Sequence, residues 1–326
     1  MDHQTLLGEL DELLRDTFSL WEPGWVTFNW RAYTYDHTRR VTGLATNLCR
    51  QEGGDVRVTE LAALLHDITK PYDGEYVVDA EGKRLVDERG YWYNVVRRPP
   101  RSNAVTRLYD ELELAGTLHN ESGAILAERL LRERGVDAAL CARVAETIRD
   151  HLKPSEDAPV ESGCLYDADT IDANIGLPAF IRNIYIHLHY HDQRKAPEAP
   201  TIETLLRERP LEYLQPYIRD NLPTWNEGKR RDFVPRLRTG AGRRLARARL
   251  DRLADTFGWL GQELDAYAEQ SDHTGIDVML HYMTHDDEPS IAEETCYLCE
   301  RWLNGATKAS TRAFVEAIRR EIEGEI

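Results

Sequence analysis

The chain lacks any apolar run of the roughly 18 residues needed to cross a bilayer, and it starts without the basic and apolar segments of a secretory leader. Cysteine is scarce as well, with five residues among 326. An odd, small number of cysteines in a long chain favours reduced thiols over a disulfide framework. We therefore expect a cytoplasmic protein without a membrane partner.

Basic residues are also in deficit, since 41 Lys and Arg stand against 57 Asp and Glu and give a net charge of −16. A chain with this charge is repelled by phosphate backbones, so nucleic acid is not an expected partner, although a local basic pocket remains possible. Two common catalytic patterns are missing from the sequence, the GxxxxGK[ST] phosphate loop and the GxSxG nucleophile elbow. Neither P-loop nor serine-hydrolase chemistry is indicated.

Helical periodicity dominates what is present. Leucines in the first 14 residues form one apolar stripe, and the segment from His37 predicts a helix that ends at Gly53-Gly54. Thr59 is a candidate N-cap for the next helix, which Pro71 closes. The sequence predicts an all-α protein.

One stretch departs from this pattern. Residues 76–87 alternate apolar and polar side chains around a glycine turn, which predicts a small β-hairpin inserted between helices, followed by a loop at 95–103. The segment KAPEAP at 195–200 is the best linker candidate. We therefore predict a first domain over 1–195 and a C-terminal helical extension of unknown role over 196–326.

Histidine and aspartate residues recur on successive predicted helices of the first domain. Imidazole nitrogen and carboxylate oxygen are ligands of borderline divalent metals, and a helix bundle can direct such side chains to one point. In chain order, these residues are His37, the adjacent pair His66 and Asp67, His119, His151 and Asp169.

The adjacent pair is the most informative element. Neighbours on a helix point about 100° apart, so His66 and Asp67 reach one ion only at a helix edge that faces a cavity. Their neighbours are apolar, and a buried His-Asp pair is costly unless a metal or another partner satisfies it. A second such dipeptide, His285-Asp286, lacks apolar neighbours and is interpreted as solvated.

The order of these residues resembles the HD-domain superfamily of metal-dependent phosphohydrolases, whose pattern is H…HD…D on a helical core. The resemblance covers roughly residues 30–195. His37 lies in an HxxRV context with Arg40 and Val41, and the HD pair has the extended form HDxxK with Lys70. The two histidines at 119 and 151 match those of members that hold two metals.

The resemblance implies an HD-domain helical bundle with two divalent ions, for which Mn, Fe, Co, Ni and Zn all remain possible. His37, His66, Asp67 and Asp169 would hold the first ion, and His119, His151 and a bridging Asp67 the second. Asp167 competes with Asp169, because residues two apart do not share a helix face. Two such ions with two carboxylates leave a positive site that attracts phosphate.

The expected function is hydrolysis of a phosphomonoester or phosphodiester of a small molecule, with a nucleotide as the expected substrate, by metal-activated hydroxide. Asp67, Lys70 and Arg40 are the catalytic candidates, and Lys70, Arg40 and Tyr33 are the substrate-binding candidates. Lys70 is equally compatible with a surface lysine, and Arg40 with an ordinary ion pair.

Two other functions remain open. A mixed-valent diiron oxygenase of the HD type uses a similar ligand set, and a regulatory module could use the site only to sense a nucleotide. Homo-oligomerisation is compatible with the sequence but is not indicated by any motif.

Overall fold

The computed structural model describes residues 2–21, 31–88, 90–267, 274–284, 291–303 and 308–324. Helices fill most of these ranges, which confirms the all-α prediction. The first helices are α1 (His3–Phe18), α2 (Arg31–Glu52), α3 (Val56–Leu65), α4 (Ala104–Glu111), α5 (His119–Glu133), α6 (Ala138–Asp150) and α7 (Val160–Asn174). They are followed by α8 (Leu177–Arg194), α9 (Ile202–Glu208), α10 (Pro210–Pro216), α11 (Leu222–Asp232), α12 (Gly240–Asp265), α13 (Gly275–Met283), α14 (Ile291–Leu303) and α15 (Ala309–Ile322). Within the described ranges, every helix is too short or too polar to span a bilayer.

The chain divides into two compact units, and the division falls between Asp169 and Thr170, inside α7. The boundary predicted at 195 stays a prediction. All the residues predicted to bind metal belong to the first unit. The second predicted HD dipeptide, at 285–286, lies outside the described residues.

The start of α3 differs from the prediction. Asp55, and not Thr59, caps this helix, because its carboxylate accepts hydrogen bonds from the backbone N–H groups of Arg57 and Val58. The Thr59 hydroxyl instead donates to the Asp55 carbonyl from within the first turn. Since α3 starts at Val56 and is short, it ends directly before the HD dipeptide.

The predicted β-hairpin is present as part of a larger insertion. Strands β1 (Asp73–Tyr76) and β2 (Asn94–Val96) pair antiparallel and form its base. The segment between them folds back twice, through isolated bridges that join Val78 to Arg84 and Val86 to Trp92. We refer to residues 73–96 as the β insertion. Its second strand starts at Asn94 and extends into the stretch 95–103, which the sequence predicts as a loop.

A buried charge cluster stabilises the second unit. Glu321 of α15 is fully buried and accepts hydrogen bonds from Arg252 of α12, at 2.6 Å, and from the backbone N–H of Leu177, at 2.8 Å. The guanidinium of Arg249 is also fully buried, with its Nε 3.8 Å from the Glu321 carboxylate. This single carboxylate therefore compensates two arginines and one helix N-terminus.

We expect Glu321→Gln to lower the free energy of unfolding by about 3 kcal/mol or more, because it leaves a buried guanidinium without an opposite charge. Denaturant unfolding followed by circular dichroism measures the loss. The matched control is Glu316→Gln on the same helix, whose carboxylate pairs with Arg319 near the surface and should contribute about 1 kcal/mol or less. Equal losses in the two variants would contradict the assignment.

Candidate metal centre

The HD dipeptide lies in the turn that follows α3. His66 is the C-cap of this helix, and Asp67 comes one residue later, before a short 3-10 turn at Lys70–Tyr72. Both side chains are buried among apolar neighbours such as Leu61. The two side chains approach each other, with Nε2 of His66 3.5 Å from Oδ2 of Asp67, because the chain leaves the helix at this point.

The remaining predicted ligands come from four helices. His119 is the first residue of α5, and His151 directly follows α6 as its C-cap. His37 lies within α2 and Asp169 within α7. The three histidines are buried, whereas the Asp169 side chain is 22% exposed. Residues separated by up to 132 positions in the sequence therefore meet in one place.

The carboxylate of Asp67 lies between two groups of histidines. Its Oδ2 atom is 3.5 Å from Nε2 of His66 and 3.9 Å from Nε2 of His37. Its Oδ1 atom is 3.6 Å from Nε2 of His119 and 3.9 Å from Nε2 of His151. Asp67 thus forms one trio with His37 and His66 and a second trio with His119 and His151. Each trio offers three ligand atoms that lie within 4.8 Å of one another.

Asp169 extends the first trio. Its Oδ1 atom is 3.0 Å from Nε2 of His37, which favours Asp169 over Asp167 as the last ligand. Asp167 lies two residues earlier on the same helix and is fully buried. The choice between the two aspartates stays a prediction.

Two histidines have their tautomer fixed by their own helix. Nδ1 of His66 lies 2.7 Å from the Ala63 carbonyl, and Nδ1 of His151 lies 2.7 Å from the Ile148 carbonyl. Because a carbonyl oxygen only accepts, each Nδ1 carries the proton and each Nε2 carries a lone pair. These Nε2 atoms are buried and have no hydrogen-bond partner in the described structure. Orphaned lone pairs of this kind fit a bound metal ion.

The tautomer of His119 is fixed by Asp73, a residue that the sequence does not single out. Its Nδ1 lies 2.5 Å from Oδ2 of Asp73, the first residue of the β insertion. Its Nε2 accepts from the Lys70 ammonium at 3.4 Å, which agrees with a proton on Nδ1. Carboxylate–histidine pairs commonly orient metal ligands. In the sequence, Asp73 differs in no visible way from other acidic residues near turns.

Electrostatics favour the ligand forms of these groups. Burial lowers the pKa of His66, and it lowers the pKa of His151 to about 3, so both imidazoles are neutral at pH 7. Burial alone would raise the pKa of Asp67, but the Lys70 ammonium and the surrounding histidines hold it well below its usual value. Neutral imidazoles together with ionised carboxylates are the donor set that divalent transition metals require.

We expect the metal-free protein to lose stability as pH falls from about 7 to about 5. The unfolded chain protonates its histidines near pH 6.5, whereas His151 in the folded chain stays neutral down to about pH 3. The unfolded state then binds more protons, so the free energy of unfolding decreases by something on the order of 2 kcal/mol for this group at pH 5. Denaturant unfolding across this range measures the slope. His151→Gln should reduce it, and a flat profile would contradict the burial of neutral histidines.

The candidate substrate residues lie around the centre. The Lys70 ammonium is 3.5 Å from Oδ1 of Asp67, and the side chain is 34% exposed. Tyr33 stacks on His37, with ring centroids 5.8 Å apart, and the Arg40 guanidinium lies 5.9 Å from the Tyr33 ring centroid. Both Tyr33 and Arg40 are buried. Lys70 is thus the one of the three that is substantially open to solvent.

Comparison with known proteins finds one family and several solved structures that are similar to this chain. The family described as "HD domain" matches residues 34–174. A search of curated proteins finds no match. Among solved structures, the chain is similar to a predicted HD superfamily hydrolase from an uncultured Thermotogales bacterium, with 24% identity, coverage of 69% of this chain and 99% of that chain, and a TM-score of 0.37.

It is also similar to Bacillus subtilis YpgQ. The identity is 14%, the alignment covers 83% of this chain and 100% of that chain, and the TM-score is 0.41. A structure of YpgQ in complex with ADP aligns with 15% identity, coverage of 81% and 97%, and a TM-score of 0.40.

The matched segment includes every predicted ligand, from His37 to Asp169. Residues 34–174 match the HD-domain family, so this part of the chain is similar to an HD domain.

Proposed function

We propose that this enzyme hydrolyses a phosphomonoester or phosphodiester of a small molecule, with nucleotides as the first candidates, and that it uses two divalent ions. The position of Asp67 carries the proposal, because each of its two oxygens faces a separate pair of buried histidines. The first ion is assigned to His37, His66, Asp67 and Asp169, and the second to Asp67, His119 and His151.

The side chains favour phosphate binding through the metal ions that they would hold and through the resulting charge. The imidazoles of His66 and His151 present their Nε2 lone pairs near Asp67, so they need no deprotonation before they bind metal at neutral pH. Divalent ions held there supply Lewis acidity toward phosphoryl oxygens and lower the pKa of water toward neutrality. With only Asp67 and Asp169 as anionic ligands, two such ions give the centre a net positive charge. A phosphate group is therefore attracted despite the net charge of −16 on the whole chain.

Lys70 is assigned to the phosphate. Its ammonium contacts Asp67 and His119 on one side and solvent on the other, so it can donate to a phosphoryl oxygen without leaving the centre. We assign Tyr33 to the organic part of the substrate, because its ring stacks on the ring of the candidate ligand His37. The Arg40 guanidinium lies 5.9 Å from the centroid of the Tyr33 ring and adds positive charge there.

The test is phosphate release from a panel of esters in the presence of Mn, Co or Ni. The panel contains p-nitrophenyl phosphate, bis-p-nitrophenyl phosphate and nucleoside mono-, di- and triphosphates. We expect turnover of at least one class, at equal rates with and without oxygen. Absence of turnover with every metal would overturn the proposal, and substrate-dependent oxygen consumption by an iron-loaded protein would favour the diiron oxygenase.

A further inference from the structure

Asp73 links the β insertion to the metal centre. It is the first residue of β1 and pairs with Val96 of β2. Its side chain is only 13% exposed, and its Oδ2 atom contacts Nδ1 of His119 at 2.5 Å. A carboxylate this close to a ring nitrogen accepts a strong, charge-assisted hydrogen bond. The proton is held on Nδ1, and the lone pair on Nε2 is directed toward Asp67.

His119 needs this external partner because of its place in the fold. His66 and His151 follow helices, so each finds a carbonyl three residues earlier in its own last turn. His119 instead begins α5, and the residue three positions before it, Gly116, has a φ of 84° that no helical turn adopts. The preceding chain therefore offers no equivalent turn.

The acceptor is held rigidly. The backbone N–H of Arg97 donates to the Tyr72 carbonyl at 2.9 Å, which continues the β1–β2 pairing one residue before Asp73. The Tyr72 ring stacks on Tyr109 of α4, with centroids 3.7 Å apart and planes 6° apart. The backbone at Asp73 is thus anchored by the sheet and by the aromatic stack of the preceding residue.

We infer that Asp73 is a positioning residue for the second ion, and that the β insertion sets the occupancy of that ion through the Asp73–His119 hydrogen bond. The inference rests on the proposed function, since it requires that the centre binds metal. The first ion, assigned to His37, His66, Asp67 and Asp169, does not depend on Asp73. Loss of the Asp73 carboxylate should therefore affect the two ions unequally.

The first experiment reads the hydrogen bond without metal. Protein with ¹⁵N-labelled histidine is examined by NMR in the metal-free state, and the His119 signals are assigned with His119→Gln. We expect a single Nδ1–H tautomer in the wild type and a mixture in Asp73→Ala. The matched control is Asp79→Ala, which removes another carboxylate of the β insertion, one that accepts from backbone N–H groups of its own turn. An unchanged His119 tautomer in Asp73→Ala would overturn the inference.

The second experiment measures ion binding by titration with Co or Mn and by elemental analysis. We expect two ions per wild-type chain and two per Asp79→Ala chain. In Asp73→Ala, one ion should bind as in the wild type, and the other should bind about 10- to 100-fold more weakly. Asp73→Asn keeps an acceptor without the charge and should give an intermediate loss, which also guards against misfolding of the alanine variant.

The outcomes separate the inference from the proposed function. A wild-type chain that binds no divalent ion overturns the proposed function, and the inference falls with it. Two ions bound with equal affinity by the wild type and by Asp73→Ala overturn the inference alone. Weakening of both ions to the same extent would also overturn it, because it would show that Asp73 supports the whole centre.

Discussion

Replacing Asp67 with asparagine is expected to abolish turnover, with a fall of about a thousandfold or more. Its Oδ2 atom faces His37 and His66, and its Oδ1 atom faces His119 and His151. An amide keeps the shape of the side chain but removes the negative charge and turns one ligand oxygen into an N–H donor that points at a histidine lone pair. One proposed ion loses its Asp67 ligand, and the other keeps only a neutral amide oxygen in place of a carboxylate.

Phosphate release and bound metal are measured on the same preparations. Asp67→Asn should retain less than one ion per chain, whereas the wild type retains two. The control is Glu133→Gln, an equivalent carboxylate-to-amide change at an exposed residue that pairs with Arg129. This control should leave both quantities unchanged. Substantial activity in Asp67→Asn would contradict the bridging role and, with it, the two-ion arrangement.

Removing the metal with a chelator is expected to eliminate turnover and to lower the thermal stability of the protein. The proposed centre forms only in the folded chain, so each ion at about 100 times its dissociation constant adds about 2.7 kcal/mol to the free energy of unfolding. For a chain of this size, each ion then raises the melting temperature by roughly 4 °C. Readdition of Mn, Co or Ni should restore both quantities, and Zn or Fe should be compared in parallel.

Asp67→Asn serves as the reference for this experiment, because chelation should change its melting temperature far less than that of the wild type. Elemental analysis of anaerobically purified protein identifies the resident metal. Full turnover after removal of all bound metal would refute the metal-dependent reaction. Iron at two ions per chain together with oxygen uptake would redirect the proposal from hydrolysis to oxygenation.

The places of three candidate ligands in the fold could be predicted, because these residues lie where helical patterns begin or end. His66, His119 and His151 each flank a helix whose apolar stripe is visible in the sequence, so the direction of each side chain is limited. The HD dipeptide is also surrounded by apolar residues, which indicates burial. The helical fold and the presence of a β-hairpin follow from the same periodicities.

Contacts between distant segments could not be predicted in this way. Asp73 meets His119 across 46 residues of sequence, through a sheet whose second strand has no alternating pattern. The N-cap of α3 is Asp55, which directly follows two glycines, and not the predicted Thr59. In both cases a short polar side chain has several possible local roles, and only tertiary packing selects one.

The last-turn arrangement of His66 and His151 has a consequence for protein design. In each case the carbonyl of the residue three positions earlier, Ala63 or Ile148, orients the ring. The hydrogen-bonded arrangement therefore fits within four consecutive residues. It requires no buried acid from elsewhere in the fold. Such a four-residue unit could be grafted onto the end of a helix in an artificial bundle, where it would deliver a preoriented imidazole at little cost to the host scaffold.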